Sequence, residues 1–203
     1  MPCFFFSWRH LVLSKTSKLD AVNSMLAAIG QSPVNSLDQS TVDVASALQF
    51  LDKASREVQT EGWKFNTEQE YALTINNDGE IPLADNVAAV SLDPFLYPTS
   101  TYNVVIRGNR LYNMIGSTFE FTASLTGKAV LLLDWDDLPE HVRSYVLLRA
   151  RREFQNDFQG SDSANAVQSR DELQAFIKMK KMEGWGTDTR LIDSFMRHNG
   201  YRL

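Results

Sequence analysis

Four stretches of this chain carry apolar side chains along one helical face only, and they come in two pairs separated by residues 65–133. A one-sided helix gains most of its stability in water by packing its apolar face against something else. Four such helices therefore constrain the fold more than any other feature, because the simplest arrangement packs them on one another.

In the first stretch, residues 18–29, Leu19, Val22, Met25, Leu26 and Ile29 recur at helical spacing. Gly30 follows and Pro33 lies just beyond, the usual C-terminal stop. Residues 31–39 read as a loop. The second helix runs over 40–61, with Ala45, Leu48, Leu51, Ala54 (or Ser55) and Val58 inward. Ser40 or Thr41 supplies its cap, Asp43 suits its first turn, and Gly62 ends it. A third helix is announced by Asp137-Leu138-Pro139-Glu140, where Asp137 caps, Glu140 closes a capping box and Pro139 sits where its missing donor costs nothing. Val142, Tyr145, Val146, Arg149 and Phe154 follow its face toward Phe158, and Gly160 ends it. The fourth helix spans 161–183, with Ala166, Leu173, Phe176, Ile177 and Lys180 on one side.

The texture of 65–133 is different. Short alternating and β-branched runs appear at 71–75, 87–90, 104–106, 111–115, 119–121 and 129–133, separated by turn residues such as Asn76-Asn77-Asp78-Gly79, Asp93-Pro94, Gly116-Ser117 and Thr126-Gly127. Arg107-Gly108-Asn109-Arg110 is a hairpin signal. Strands without intervening helices imply an antiparallel sheet, sandwich or small barrel. The expected fold is α+β: a four-helix bundle over 18–64 and 137–183, an inserted antiparallel β domain over 65–136, an N-terminal extension over 1–17 and an extended C-terminal arm over 184–203.

A formal charge of −5 over 203 residues argues against tight, sequence-independent nucleic-acid binding, which needs clustered Lys and Arg. Cys3 is the only cysteine, and His10, His141 and His198 are far apart, so neither an internal disulfide nor a metal-ligand spacing is present. The first thirteen residues are apolar, yet Arg9-His10 interrupts them well short of the ~20 residues a membrane helix needs. A secretory signal would place basic residues before its apolar run, the reverse of this order. Three readings of this segment stand: packing on a neighbouring subunit, a mobile tail, or an extension from an upstream start codon with the organised chain beginning near Ser17.

Three blocks carry a resemblance. Residues 21–34 (Ala21-Val22-Asn23-Ser24-Met25-Leu26 through Gly30-Gln31-Ser32-Pro33-Val34), residues 56–66 with Gly62-Trp63-Lys64-Phe65-Asn66, and Asp136-Asp137-Leu138-Pro139-Glu140 running into Arg143, Tyr145, Ala150-Arg151 and Phe154 resemble, in order and spacing, the tail tubular protein A (head-to-tail adaptor) family of short-tailed phages. The resemblance implies a structural protein and no enzyme, without cofactor or metal. It implies a ring of twelve copies between portal and tail nozzle that conducts double-stranded DNA without binding it specifically and helps seat tail fibres. It also implies residence in the virion tail at the portal vertex, after assembly in the host cytoplasm.

Each conspicuous residue has a bland reading beside a sharp one. Trp63 and Phe65 either anchor a neighbouring subunit or staple the helix end to the β block. Asp134, Asp136 and Asp137 could serve as a general acid and base, since paired carboxylates hydrolyse glycosides, or as a calcium loop. The bland reading is a capped helix start with a solvated loop. Arg143, Arg149, Arg151 and Arg152 meet acidic partners or a neighbour, or lie solvated. Lys178, Lys180 and Lys181 suit the negative end of the fourth helix. His141 has no evident partner. Trp185, Phe195 and Tyr201 decorate a tail too short to fold alone, which suggests docking on the portal or the adjacent subunit. The candidate interface residues are therefore Trp63, Phe65, Arg143, Arg149, Arg152, Trp185, Phe195 and Tyr201. The alternative functions are a tail-associated polysaccharide or cell-wall hydrolase, and a generic interaction module outside viruses.

Overall fold

Alternation and helical periodicity decide which residues turn inward, and a computed structural model of the chain, describing residues 14–38, 41–159 and 162–184, places them. The helices are α1 (Lys18–Ala28), α2 (Val42–Thr60), α3 (Glu140–Gln159) and α4 (Asp162–Met182). Between α2 and α3 lie β1 (Thr67–Leu73), β2 (Val87–Ser91), β3 (Val104–Ile106), β4 (Leu111–Asn113) and β5 (Leu125–Leu131), with short 3-10 turns at Lys64–Asn66 and Trp135–Asp137. The class is α+β.

The helices start where the chain offers a side-chain acceptor. Ser17 Oγ accepts from the Asp20 amide at 3.1 Å, while Asp20 accepts from the Ser17 amide at 3.2 Å, a full capping box. The Ser17 hydroxyl hydrogen bond, and then its backbone one, hold the Asp20 carboxyl below the usual carboxylate range. Thr41 caps α2, its Oγ1 accepting from Val44 at 3.4 Å. At α3 the expectation fails. The helix begins at Glu140, not Asp137, because 135–137 wind as a 3-10 turn, and Glu140 closes no box but accepts from the Thr16 amide at 2.9 Å.

Inward faces shift slightly from the sequence reading. Val44 and Ala47 are buried on α2 in place of Ala45, and Ala150 in place of Arg149 on α3. On α4 the buried positions are Glu172, Phe176 and Met179, whereas Leu173 and Ile177 are half-buried and Lys180 lies over the Phe176 ring at 4.7 Å. Ala166 and Gly160 lie outside the residues whose side chains are described.

The sheets are antiparallel. One has the order β1-β5-β2 and the other pairs β3 with β4. The β3–β4 turn is the expected hairpin: Gly108 and Asn109 both take φ of 54°, and Arg107 and Arg110 exchange backbone hydrogen bonds at 2.9 and 3.3 Å. Three strand expectations need correction. Thr126-Gly127 is no turn but lies inside β5, where the absent side chain admits a neighbouring strand: a Cβ on Gly127 would stand 2.8 Å from the Ser91 carbonyl oxygen. The 119–121 run makes only an isolated bridge, Glu80 to Glu120. The 111–115 run stops at Asn113, and Met114-Ile115 sit in the turn beyond.

Two apolar clusters result. One gathers residues of all four helices with Trp63, Trp135 and Leu138. The other lies within the β block around Leu73, Ile81, Leu111, Phe121, Leu125 and Ala129. Among the described residues no helix is long and apolar enough to cross a membrane.

Candidate assembly surfaces

The segment 134–140, which leads from β5 into α3, is built around one arginine. Arg143 is buried on the first turn of α3, and its guanidinium forks onto three carbonyls: Leu138 O at 2.9 Å, Thr16 O at 2.8 Å, and Asp136 O. It also lies 5.9 Å from the Trp135 ring, whose Nε1 donates to the same Thr16 carbonyl at 3.0 Å. Only a planar, multi-donor cation can serve three acceptors in this way. Asp134, Asp136 and Asp137 around it are exposed.

The chain entering the β block is tied to the chain leaving it. Buried Asn66 donates to Gln59 O and to Leu131 O, each at 2.8 Å, and accepts from the Trp63 amide at 2.9 Å. Buried Gln59 accepts from the Leu133 amide at 2.7 Å and donates to its carbonyl at 3.1 Å. Gly62, at φ of 75°, makes the turn between them, with Val130 Cγ2 at 3.0 Å from where a Cβ would sit. Trp63 is buried, its Nε1 donating to Val58 O at 2.7 Å and its ring edge-on to Phe176 at 6.3 Å. Half-buried Phe65 packs against the helical cluster, and its amide donates to Glu183 at 3.0 Å. His141, read from sequence as partnerless, faces the other oxygen of that carboxylate at 2.7 Å.

Arg149 and Arg152 are half-buried and engaged within the chain: Arg149 Nη2 lies 2.6 Å from Glu57, and Arg152 pairs with buried Glu172. Lys53 bridges α2 to Glu153 of α3 at 2.9 Å. Beneath them Tyr145 is buried, its hydroxyl facing Arg149 without a well-formed hydrogen bond. Burial, opposed by Arg149, pushes the phenol up from 10.0 to about 12. A raised folded-state value means that this group's contribution to stability is intact below pH 10 and is lost as pH rises through about 12. Tyr145→Phe should therefore be nearly neutral at pH 7 and lose less stability than the parent between pH 10 and 12. The gap should approach ~3 kcal/mol, about two pKa units' worth, read as the difference in urea-unfolding free energy across that range.

Two loops of the β block expose large apolar side chains: Phe95 is 96% and Leu96 70% accessible, Met114 45% and Ile115 54%. Asn113 laces the loops together, accepting from the Asn103 amide at 3.2 Å and donating to Thr101 O at 2.9 Å, while the Met114 amide donates to Asn103 O at 2.8 Å. Sequence reasoning missed this surface, reading 111–115 as one strand and passing over Phe95-Leu96 behind the Asp93-Pro94 turn. The available signal was apolar residues beside turn formers with no alternation to bury them.

A cleft of about 420 Å³ lies where α1 and α2 meet 132–135, lined by Lys18, Asp52, Arg56, Asp85, Asp134 and Trp135. The Lys18–Asp52 ion pair at 2.8 Å occupies part of its wall. Among the described residues no group of His, Cys, Asp and Glu could hold a metal. Trp185, Phe195 and Tyr201 fall outside the described residues.

The charged groups facing one another across α2 and α3 pair within the fold while two loops leave apolar surface bare, a pattern of proteins that work by surface contact. The chain belongs to the tail tubular protein family, whose sequence pattern matches residues 19–188. It is also similar to tail tubular protein A of Klebsiella phage KP34, 29% identical over 163 residues, covering 79% of this chain and 84% of that one. The protein is thus a structural component of a phage tail and not an enzyme, which sets aside the hydrolase reading of Asp134, Asp136 and Asp137 as well as the module outside viruses.

Proposed function

We propose that this chain is the head-to-tail adaptor of a short-tailed phage: a ring, of twelve copies in our reading, seated between portal and tail nozzle at the capsid vertex. The observation that carries it is the family match over 19–188, and the solvent-facing Phe95, Leu96, Met114 and Ile115 favour a member that meets neighbours. In this reading 18–64 and 137–183 form a four-helix bundle domain, 65–136 an inserted β domain, 1–17 an N-terminal extension and 184–203 an arm that reaches the portal or the adjacent copy through Trp185, Phe195 and Tyr201. The ring conducts DNA without specific contacts and helps attach tail fibres. Of the candidate interface residues, Trp63 and Arg143 are buried within the chain, while half-buried Phe65, Arg149 and Arg152 keep surface that a neighbouring copy would cover. Assembly takes place in the host cytoplasm.

Negative-stain imaging of the purified protein with and without its portal tests this directly. Closed rings with a central hole, stacked on the portal, are the expected result; a protein that stays solitary in both samples would sink the reading. Phe95→Asp combined with Leu96→Asp should shift folding stability by no more than ~0.5 kcal/mol, as exposed substitutions do. The same variant should lose nozzle or fibre attachment, scored as tailless or fibreless particles in complementation of a deletion phage.

A further inference from the structure

We infer that neighbouring copies in the ring meet through charge: the outer stripe of α4 in one copy seats against the acidic corner that leads into α3 in the next. This contact rests on the adaptor reading above. Arg170, Gln174, Lys178 and Lys181 recur every three or four residues, so they share one face of α4. All four are exposed, while Phe176 and Met179 on the opposite side enter the helical core. Asp171 is also exposed beside Arg170, which leaves the positive charge concentrated in the C-terminal half of the stripe. Lys178 and Lys181 form no ion pair among the described residues. The carboxylates of Asp134, Asp136 and Asp137 likewise take no hydrogen bond or ion pair there. The α2–α3 surface contrasts with both, since Lys53, Glu57, Arg149 and Glu153 satisfy one another within the chain.

The placement of the two patches matters as much as their sign. Glu183, through His141 and the Phe65 amide, holds the last turn of α4 beside the first turn of α3. Lys178 and Lys181 therefore stand level with the corner that enters α3. The corner itself is pinned to the α1 side, because Trp135 and Arg143 both bond the Thr16 carbonyl. Of the helices, α4 packs chiefly on α3, whereas α1 packs on α2 and α3. The basic patch thus lies on α4 and the acidic one on the corner tied to the start of α1, both beside the first turn of α3. Two unlike patches make a head-to-tail contact, and patches at equal height allow it to close into a ring instead of climbing into a filament. Exposed charge pairs of this kind select the partner and speed encounter, and they weaken with salt.

The test uses two full-length variants, Lys178→Glu with Lys181→Glu and Asp134→Lys with Asp137→Lys, imaged and weighed by mass photometry with the portal protein present. Each alone should show ring formation reduced at least ~10-fold, with a circular-dichroism melting curve like the parent's. An equimolar mixture should recover rings, because the unchanged corner of one meets the unchanged helix of the other, and the two reversed patches also match. Parent-like rings from either variant alone, or no recovery in the mixture, would overturn this contact while leaving the ring intact. A parent chain that forms no ring on the portal would overturn both the contact and the adaptor reading.

Discussion

Replacing Arg143 with alanine should cost about 3–5 kcal/mol, because carbonyls left without a donor cost about 1–3 kcal/mol each and the buried side chain also loses its packing. Leu138 O and Asp136 O lose the guanidinium donor outright, and Thr16 O keeps only the Trp135 indole. Among the described residues, the segment ahead of α1 is then tied to the corner that enters α3 by the two Thr16–Glu140 bonds and by Trp135. For a chain of this length such a loss corresponds to a drop in melting temperature of roughly 10 °C or more, measurable by circular dichroism. Arg143→Lys should recover only part of it, since an ammonium cannot fork onto three acceptors arranged around a plane. A lysine variant as stable as the parent would show that charge alone, and not the fork, organises the corner.

Asn66→Leu is the second large effect expected. The swap keeps the bulk but removes every polar contact, taking the side-chain acceptor from the Trp63 amide and the side-chain donor from the Leu131 carbonyl, while the Gln59 carbonyl keeps only the Gly62 amide. Each orphaned group carries a penalty of about 1–3 kcal/mol and relaxation recovers part of the sum, so a net loss near ~3 kcal/mol is expected from chemical denaturation. Hydrogen exchange should localise the damage: the amides of Trp63 and Leu133 should lose protection, while the β3–β4 hairpin, which Asn66 does not touch, should keep it.

Much of this was legible in the sequence because period and turn chemistry are local. Met25 and Leu26, or Val142 and Tyr145, declare their face within a turn of helix, and Gly108-Asn109 declares a hairpin by itself. Tertiary context decided the rest. Thr126-Gly127 has the composition of a turn, but Ser91 approaches so closely that a glycine is wanted inside β5. Glu140 has the spacing of a capping box, but Thr16, distant in sequence, takes its carboxylate. His141 gained a partner from the far end of α4, which no pattern around residue 141 could announce. For the candidate surfaces, the family-like blocks pointed to Trp63, Phe65 and Arg143, residues that brace the molecule from within. The bare loops at Phe95-Leu96 and Met114-Ile115 lie where the chain offers only texture.

The brace between Asn66 and Leu131 places the two cut ends of the β block within the span of one amide side chain. A segment whose ends meet so closely joins the rest of the chain at one place, so its length and content can change while the span between α2 and α3 stays the same. Such a fold invites exchange, because the helices keep an apolar cluster of their own whatever sequence fills the β block.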